Sequence, residues 1–377
     1  MTQALVNPNV MSWSRRRAGL SEVDLAEGIP VKAEKIYAWE AGESKPTFRQ
    51  AQQWANLARI PFGYLFLKEP PKEELLLPDL RTVGSAEPKE PSLDLLDTVR
   101  DVLRKQEWYL DYLTQQEREP LPFVGKFSAS SIVADVVADI RGVLGGDEAP
   151  HRQGGDEYFR QLVVAADEAG ILIMRSGVVG MNTHRKLDVG EFRGFAISNR
   201  YAPIVFINVA DAPAARLFTL IHELAHIWIG SSGISSVAPA NNRREEVFCN
   251  AVAGEFLVPE KRFVPLWKKI DHWTQQLPEL AANFYVSKLV IARRACDLGF
   301  ISADEYGEYY RVELKAHHEQ KGGGGSFYAN AGAKNSKRFS RAVLSEALSG
   351  RLLLRDAGKL LGVQPAKIST FAEKIGE

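Results

Sequence analysis

His222 and His226 stand four residues apart with Glu223 between them, and no other spacing in the chain points so directly to chemistry. On a helix, residues i and i+4 share a face, so the two imidazoles stack. Two neutral imidazoles in that arrangement can chelate a divalent cation such as zinc. Glu223, one residue beyond His222, is placed to serve as a base rather than as a ligand. It can accept a proton from a water that the metal activates and pass it to a leaving amine, which is the chemistry of a zinc metalloendopeptidase of the HExxH type. The spacing does not separate zinc from manganese or iron. The neighbours Phe218, Leu220, Ile221, Ile227, Trp228 and Ile229 make this helix apolar on nearly every side. The histidines and the glutamate are therefore expected inside the fold, where polar groups need partners and a metal supplies them.

A catalytic zinc keeps three protein ligands and one open position. Glu245 and Glu246 follow downstream, at the start of a helical stretch. There Glu246 shares a stripe with Asn250, Ala253 and Leu257, whereas Glu245 points about 100° away. Glu246 is the expected third ligand; the competing reading makes both acids solvated helix-start residues favoured by the macrodipole. The other histidines, His151, His184, His272, His317 and His318, lie in polar contexts and are expected at the surface.

The elements that hold these residues come next. Short apolar runs at Ile171–Met174, Arg193–Ser198 and Pro203–Asn208 read as strands. Asp211 can cap the helix that follows, with Pro213 in its first turn. A second helix is expected from about Arg243 to Leu257, ending before Pro259. Upstream, Leu93 to Thr114 reads as an amphipathic helix that buries Leu95, Val99, Leu103, Trp108 and Tyr112. The Gly-, Pro- and Asp-rich stretch from 144 to 155 reads as a loop, and helix resumes near Glu157–Ala169. The apolar Pro203–Asn208 strand leads into the metal helix, so it is expected to offer an edge on which an extended substrate adds as a further strand.

Residues 1–68 read as a bundle of short helices: one closing at Ser12–Ala18, one capped by Ser21 with Asp24 at the capping-box position, one over Lys32–Ala41 and one over Thr47–Ala58. Prolines 70, 71, 78, 88 and 91 mark a linker over 69–92. A helical-flanked domain is expected over 93–320. Beyond it lie a Gly322–Gly325 joint and a basic helical tail, together 321–377, with nine Lys/Arg against four Asp/Glu in residues 327–377. No longer internal repeat is evident. The fold class that emerges is mostly α with a small α+β zincin-like metallopeptidase domain, preceded by an N-terminal all-α bundle.

Lys plus Arg equals Asp plus Glu at 47 each, so wholesale polyanion binding is not indicated, although a local basic face is compatible. Two cysteines, Cys249 and Cys296, give neither a disulfide framework nor a cysteine-rich metal site and are expected reduced in a cytoplasmic protein. Residues 1–17 lack the apolar core of a signal peptide, and no run reaches the length of a membrane span.

Phe218 to His226, followed by Glu246 to Pro259, resembles the ImmA/IrrE family of metallopeptidases. Phe192-Arg193-Gly194-Phe195 and the run Pro203–Asn208 extend the likeness over roughly 155–300. Cys249 and Val258 stand where the family carries Ala and Met. The resemblance implies Zn2+ held by His222, His226 and Glu246, with Glu223 catalytic, and a protein substrate: a repressor, antitoxin or toxin-like partner encoded nearby. Leu25-Ala26, Ile36, Trp39-Glu40 and Gly42 resemble an Xre-type helix-turn-helix. That likeness implies contacts to double-stranded DNA from Arg16, Lys32 and Lys35, and compatibility with a homodimer. Such modules usually open their second helix with a glutamine that holds a phosphate; here Glu22 stands there, an anion facing an anion. Residues 1–68 carry nine basic and six acidic residues, a weak excess for a DNA binder.

Two functions follow. The first is a zinc endopeptidase that cleaves one repressor or antitoxin-like protein, coupled to DNA binding. The second is a DNA-binding repressor or antitoxin of a toxin-antitoxin pair whose peptidase domain senses or docks a partner. In the tail, Arg338, Arg341, Arg351 and Arg355 alternate with Phe339, Val343, Leu344 and Leu352. This pattern fits either an amphipathic surface that recruits a protein partner or a packed subdomain with a solvated basic face.

Overall fold

The computed structural model describes residues 2–71, 91–145, 155–235, 244–317 and 334–376. Most of the proline linker, the loop at 146–154, His151, His318 and the Gly322–Gly325 joint lie outside those residues. The chain divides into two compact units: Met1–Leu76 with Glu90–Asp97, and Leu77–Lys89 with Thr98–Glu377. It is mostly helical with one small sheet. No described helix is long and apolar enough to cross a membrane.

The first unit is built from α1 (Pro8–Arg17), α2 (Glu22–Gly28), α3 (Ala33–Glu40) and α4 (Phe48–Leu57). Its helix starts follow capping chemistry. Asn7 caps α1 with Pro8 in the first turn, and Ser21 with Asp24 and Thr47 with Gln50 form capping boxes on α2 and α4. Met11, Leu25, Ile36, Trp39 and Trp54 fill the core, and Trp54 Nε1 donates to Ser14 Oγ at 3.0 Å. Arg15 is buried here. Its Nε and Nη2 donate to the two Glu40 oxygens at 2.7 and 3.0 Å, Nη2 also lies 2.9 Å from Glu22, and Nη1 donates to the Leu20 carbonyl. Glu22 is thus one of two carboxylates that share an internal guanidinium, so part of its charge is met within the unit.

In the second unit a four-stranded sheet runs in the order β1 (Leu172–Ser176), β3 (Ile204–Asn208), β2 (Gly194–Ile197), β4 (Gly233–Ser235). β1 pairs parallel with β3, and β2 pairs antiparallel with both β3 and β4. β3 is therefore central and both its edges are taken, which overturns the expectation that it accepts a substrate strand. Its burial pattern carries the reason: all five residues are buried, as in a strand covered on both faces. β1 and β4 are the edges.

Against the sheet pack α8 (Pro213–Ile229) and, beside it, α9 (Arg244–Leu257). α6 (Val133–Leu144) and α7 (Gly155–Glu168) close one side of this core. A one-turn α10 (Glu260–Phe263), α11 (Leu277–Phe284), α12 (Lys288–Asp297) and α13 (Ala303–His317) follow.

α5 (Leu93–Gln115) is one continuous helix, but its inward face is not the expected one. Leu95 and Val99 are buried as anticipated; beyond them burial passes to Val102, Gln106, Tyr109 and Leu113, while Leu103, Trp108 and Tyr112 are half-buried. The buried residues keep to one helical stripe, whereas the expected set runs ahead of the 3.6-residue period and rotates off it beyond Val99. Gln106 donates to the Ala202 carbonyl, and Lys105 reaches both Asp101 and Asn335, the latter at 2.9 Å.

The tail forms α14 (Lys337–Leu348), α15 (Leu354–Leu361) and α16 (Ile368–Gly376). Phe339, Val343 and Leu344 are buried, and Phe339 meets Trp108 and Tyr109 edge-on. Asp167 of α7 sits on the N-terminus of α14, accepting from Ser336 Oγ and from the Arg338 backbone N–H, while the Arg338 side chain donates to the Asp167 and Glu168 carbonyls. The apolar half of the expected docking surface is spent inside the module and on α5, so that pattern records packing rather than a free amphipathic face.

Candidate metal centre

α8 is an apolar helix stopped by Gly230, whose φ of 72° closes the cap. Ala212 is its N-cap residue with Pro213 in the first turn; Asp211 lies one position earlier than expected and accepts from the Ala212 N–H at 2.8 Å. Asn208, at the end of β3, donates to the Phe192 carbonyl and accepts from the Ala210 N–H, so strand and helix enter a fixed turn. Trp228 Nε1 donates to Asp139 of α6 at 2.8 Å and its ring stacks on Phe123. These contacts fix the rotation of α8 and so the direction of its histidines.

His222 Nε2 and His226 Nε2 lie 3.2 Å apart. Glu246 Oε2 is 3.2 Å from the first nitrogen and Glu246 Oε1 is 3.2 Å from the second. Three potential ligands thus form a small triangle, and among the described residues no other group of three or more His, Cys, Asp or Glu converges in this way. A tetrahedral zinc with bonds of about 2.0–2.1 Å spaces its ligand atoms about 3.3–3.4 Å apart, so the triangle has the size such an ion requires. The donor set, two imidazoles and a carboxylate, suits zinc. Without an ion, one Nε2–H donates to the other ring nitrogen; a cation that takes one lone pair from each imidazole and one from the carboxylate fits the same spacing. His222 Nδ1 and His226 Nδ1 have no hydrogen-bond partner among the described residues. Burial would raise the Glu246 carboxyl, yet the imidazoles of His222 and His226 hold it well below the ordinary carboxylate range.

Glu245 takes a different direction and accepts from Ser231 Oγ at 2.7 Å. Glu223 is fully buried beside the triangle. Gly194 of β2 makes room for it. A Cβ at Gly194 would stand 3.0 Å from Glu223 Oε1 and 2.8 Å from both the Phe206 carbonyl and Thr219 Cγ2. The sequence reading had this glycine only as part of a strand motif; a glycine inside an apolar strand, which signals close approach, was the available clue. Cys249 lies in the same buried cluster, its thiol pushed up by burial. Of the expected DNA contacts, Arg16 is exposed on α1, Lys32 is the N-cap residue of α3 and Lys35 lies exposed in that helix's first turn.

Residues 166–295 match the model of the Peptidase_M78 family, the IrrE N-terminal-like domain. The matched span holds the sheet, α8 and α9, with His222, Glu223, His226 and Glu246 all inside it. The match supports a peptidase domain of ImmA/IrrE type at the centre of the chain. Residues 335–374, which comprise nearly all of the tail module, match a domain of unknown function (DUF8813). No curated protein matches the chain.

Proposed function

We propose that the central domain is a zinc-dependent endopeptidase that cuts one regulatory protein, a repressor or antitoxin-like partner encoded nearby. The observation that carries this reading is the 3.2 Å triangle of His222, His226 and Glu246 beside a buried Glu223. His222, His226 and Glu246 would hold the ion, and zinc bound there supplies Lewis acidity toward a peptide carbonyl and a water. Glu223 takes the proton of the attacking water and delivers it to the leaving nitrogen. Gly194 keeps the space into which that carboxylate extends. The apolar packing around α8 excludes bulk water, which strengthens each of these interactions.

A second reading has support in the exposed Arg16, Lys32 and Lys35 of the first unit. It makes the protein a DNA-binding repressor or antitoxin, compatible with a homodimer, in which the peptidase domain senses a partner.

Metal analysis of the purified full-length protein tests the first reading. One zinc per chain is expected, lost in Glu246→Ala and kept in Glu245→Ala. Full occupancy in Glu246→Ala would remove the proposed ligand set.

A further inference from the structure

The tail module repeats, at the far end of the chain, a local structure already present near its start. Ala26, Pro30, Val31, Ile36 and Trp39 of the α2–α3 segment have counterparts at identical spacing in Gly358, Gly362, Val363, Ile368 and Phe371. Ile36 and Ile368 are both fully buried, and Trp39 and Phe371 are each 1% exposed. The backbone repeats as well. Val31 N–H donates to Ala26 O at 3.0 Å and Val363 N–H to Gly358 O at 3.0 Å; Lys35 N–H donates to Lys32 O at 2.9 Å and Lys367 N–H to Gln364 O at 2.8 Å. The second turn passes through a left-handed residue, Gly362 at φ 71°. In the second copy a Cβ on Gly358 would stand 2.6 Å from the Val363 carbonyl, so that position takes glycine.

Two short helices joined by such a turn, braced by a third, form the unit that sets its second helix into the major groove of DNA. α14 is the brace, packing on α15 and α16. The outward side of α16 and its preceding turn is polar and exposed, carrying Gln364, Lys367, Ser369, Thr370, Glu373 and Lys374. Gln, Ser and Thr read base edges; Lys holds phosphates. Residues 334–376 contain nine Lys/Arg against three Asp/Glu, a far stronger excess than in residues 1–68. We infer that residues 354–376 are a second helix-turn-helix and that α16 presents its Gln364–Lys374 face to double-stranded DNA. A protein partner is the competing occupant, for which exposed Leu348, Leu353 and Leu354 would be the contact.

The test is fluorescence anisotropy of the full-length protein with a labelled 30-bp duplex of mixed sequence, titrated across salt. The measurement is repeated in a Lys32→Ala/Lys35→Ala background, so that α3 cannot supply the signal. Binding is expected in both backgrounds. Lys367→Ala/Lys374→Ala should weaken it about tenfold and lower the log–log salt slope by about two, one per lost phosphate contact. Unchanged helical circular dichroism and metal content will show that these surface substitutions spare the fold. Unaltered duplex affinity in Lys367→Ala/Lys374→Ala overturns the inference. So does equal affinity for a single strand of the same length. So does an absence of duplex binding at low salt together with self-association or partner capture that Leu353→Ser/Leu354→Ser abolishes.

Discussion

Two buried polar clusters in this chain use similar residues to opposite ends. In the first unit, the Arg15 guanidinium meets Glu40 twice, Glu22 once and the Leu20 carbonyl once. Unlike charges face each other and the donors are matched by acceptors. In the second unit, two imidazole nitrogens face each other at 3.2 Å and share one carboxylate, with both Nδ1 atoms unmatched among the described residues. The first arrangement closes on itself and is a brace. The second brings two imidazole nitrogens and a carboxylate to one point, and that convergence of potential ligands marks it as a candidate site.

The comparison breaks most sharply at Glu223. Glu223→Gln keeps shape and burial but cannot take a proton, so cleavage of the protein partner should fall about 10²–10⁴-fold with zinc content unchanged. An undiminished rate would reduce the second cluster to a structural metal site.

A smaller effect is expected from Gly194→Ala. The new methyl must displace the Phe206 carbonyl, Thr219 or Glu223, and a base misplaced by about 1 Å costs roughly 10²-fold. Thr219→Ser removes the methyl carbon at 2.8 Å and should recover part of that loss, read as rate against thermal midpoint. A double variant no better than Gly194→Ala would assign the damage to the Phe206 backbone instead.

Least is expected at the brace. Arg15→Ala strands Glu40 and Glu22, which are only partly screened, and should cost about 2–3 kcal/mol in unfolding of the first unit while leaving zinc content untouched. Denaturant melts followed by tryptophan fluorescence measure it; a loss below about 0.5 kcal/mol would make the brace a surface pair.

What could be read from sequence was whatever is local. The HExxH spacing, the Ser21–Asp24 capping box and the strands at 172–176, 194–197 and 204–208 rest on neighbours within a turn or two. What escaped depends on partners distant in the chain. β4 is three residues long, too short to alternate. The apolar run 203–208 suggests an available edge next to the helix that follows, whereas continuous apolarity in a strand goes with enclosure on both faces. The buried face of α5 follows the helical period throughout, but it includes Lys105 and Gln106, polar residues whose partners Asn335 and Ala202 lie far along the chain. The repeat between the α2–α3 and α15–α16 segments leaves little residue identity, because it keeps burial and side-chain class rather than residue type: alanine becomes glycine, and tryptophan becomes phenylalanine.

The carboxylate of Asp167 on the first turn of α14 has one more consequence. The module it seats is covalently tied to the rest of the chain, so the seat works against an effective concentration in the millimolar range rather than against a dilute partner. The hydrogen bonds of Asp167 and Asn335 and the packing of Phe339 on Trp108 and Tyr109 thus hold the module more firmly than they would hold a separate chain. A competing surface must therefore overcome the tether as well as the contacts themselves.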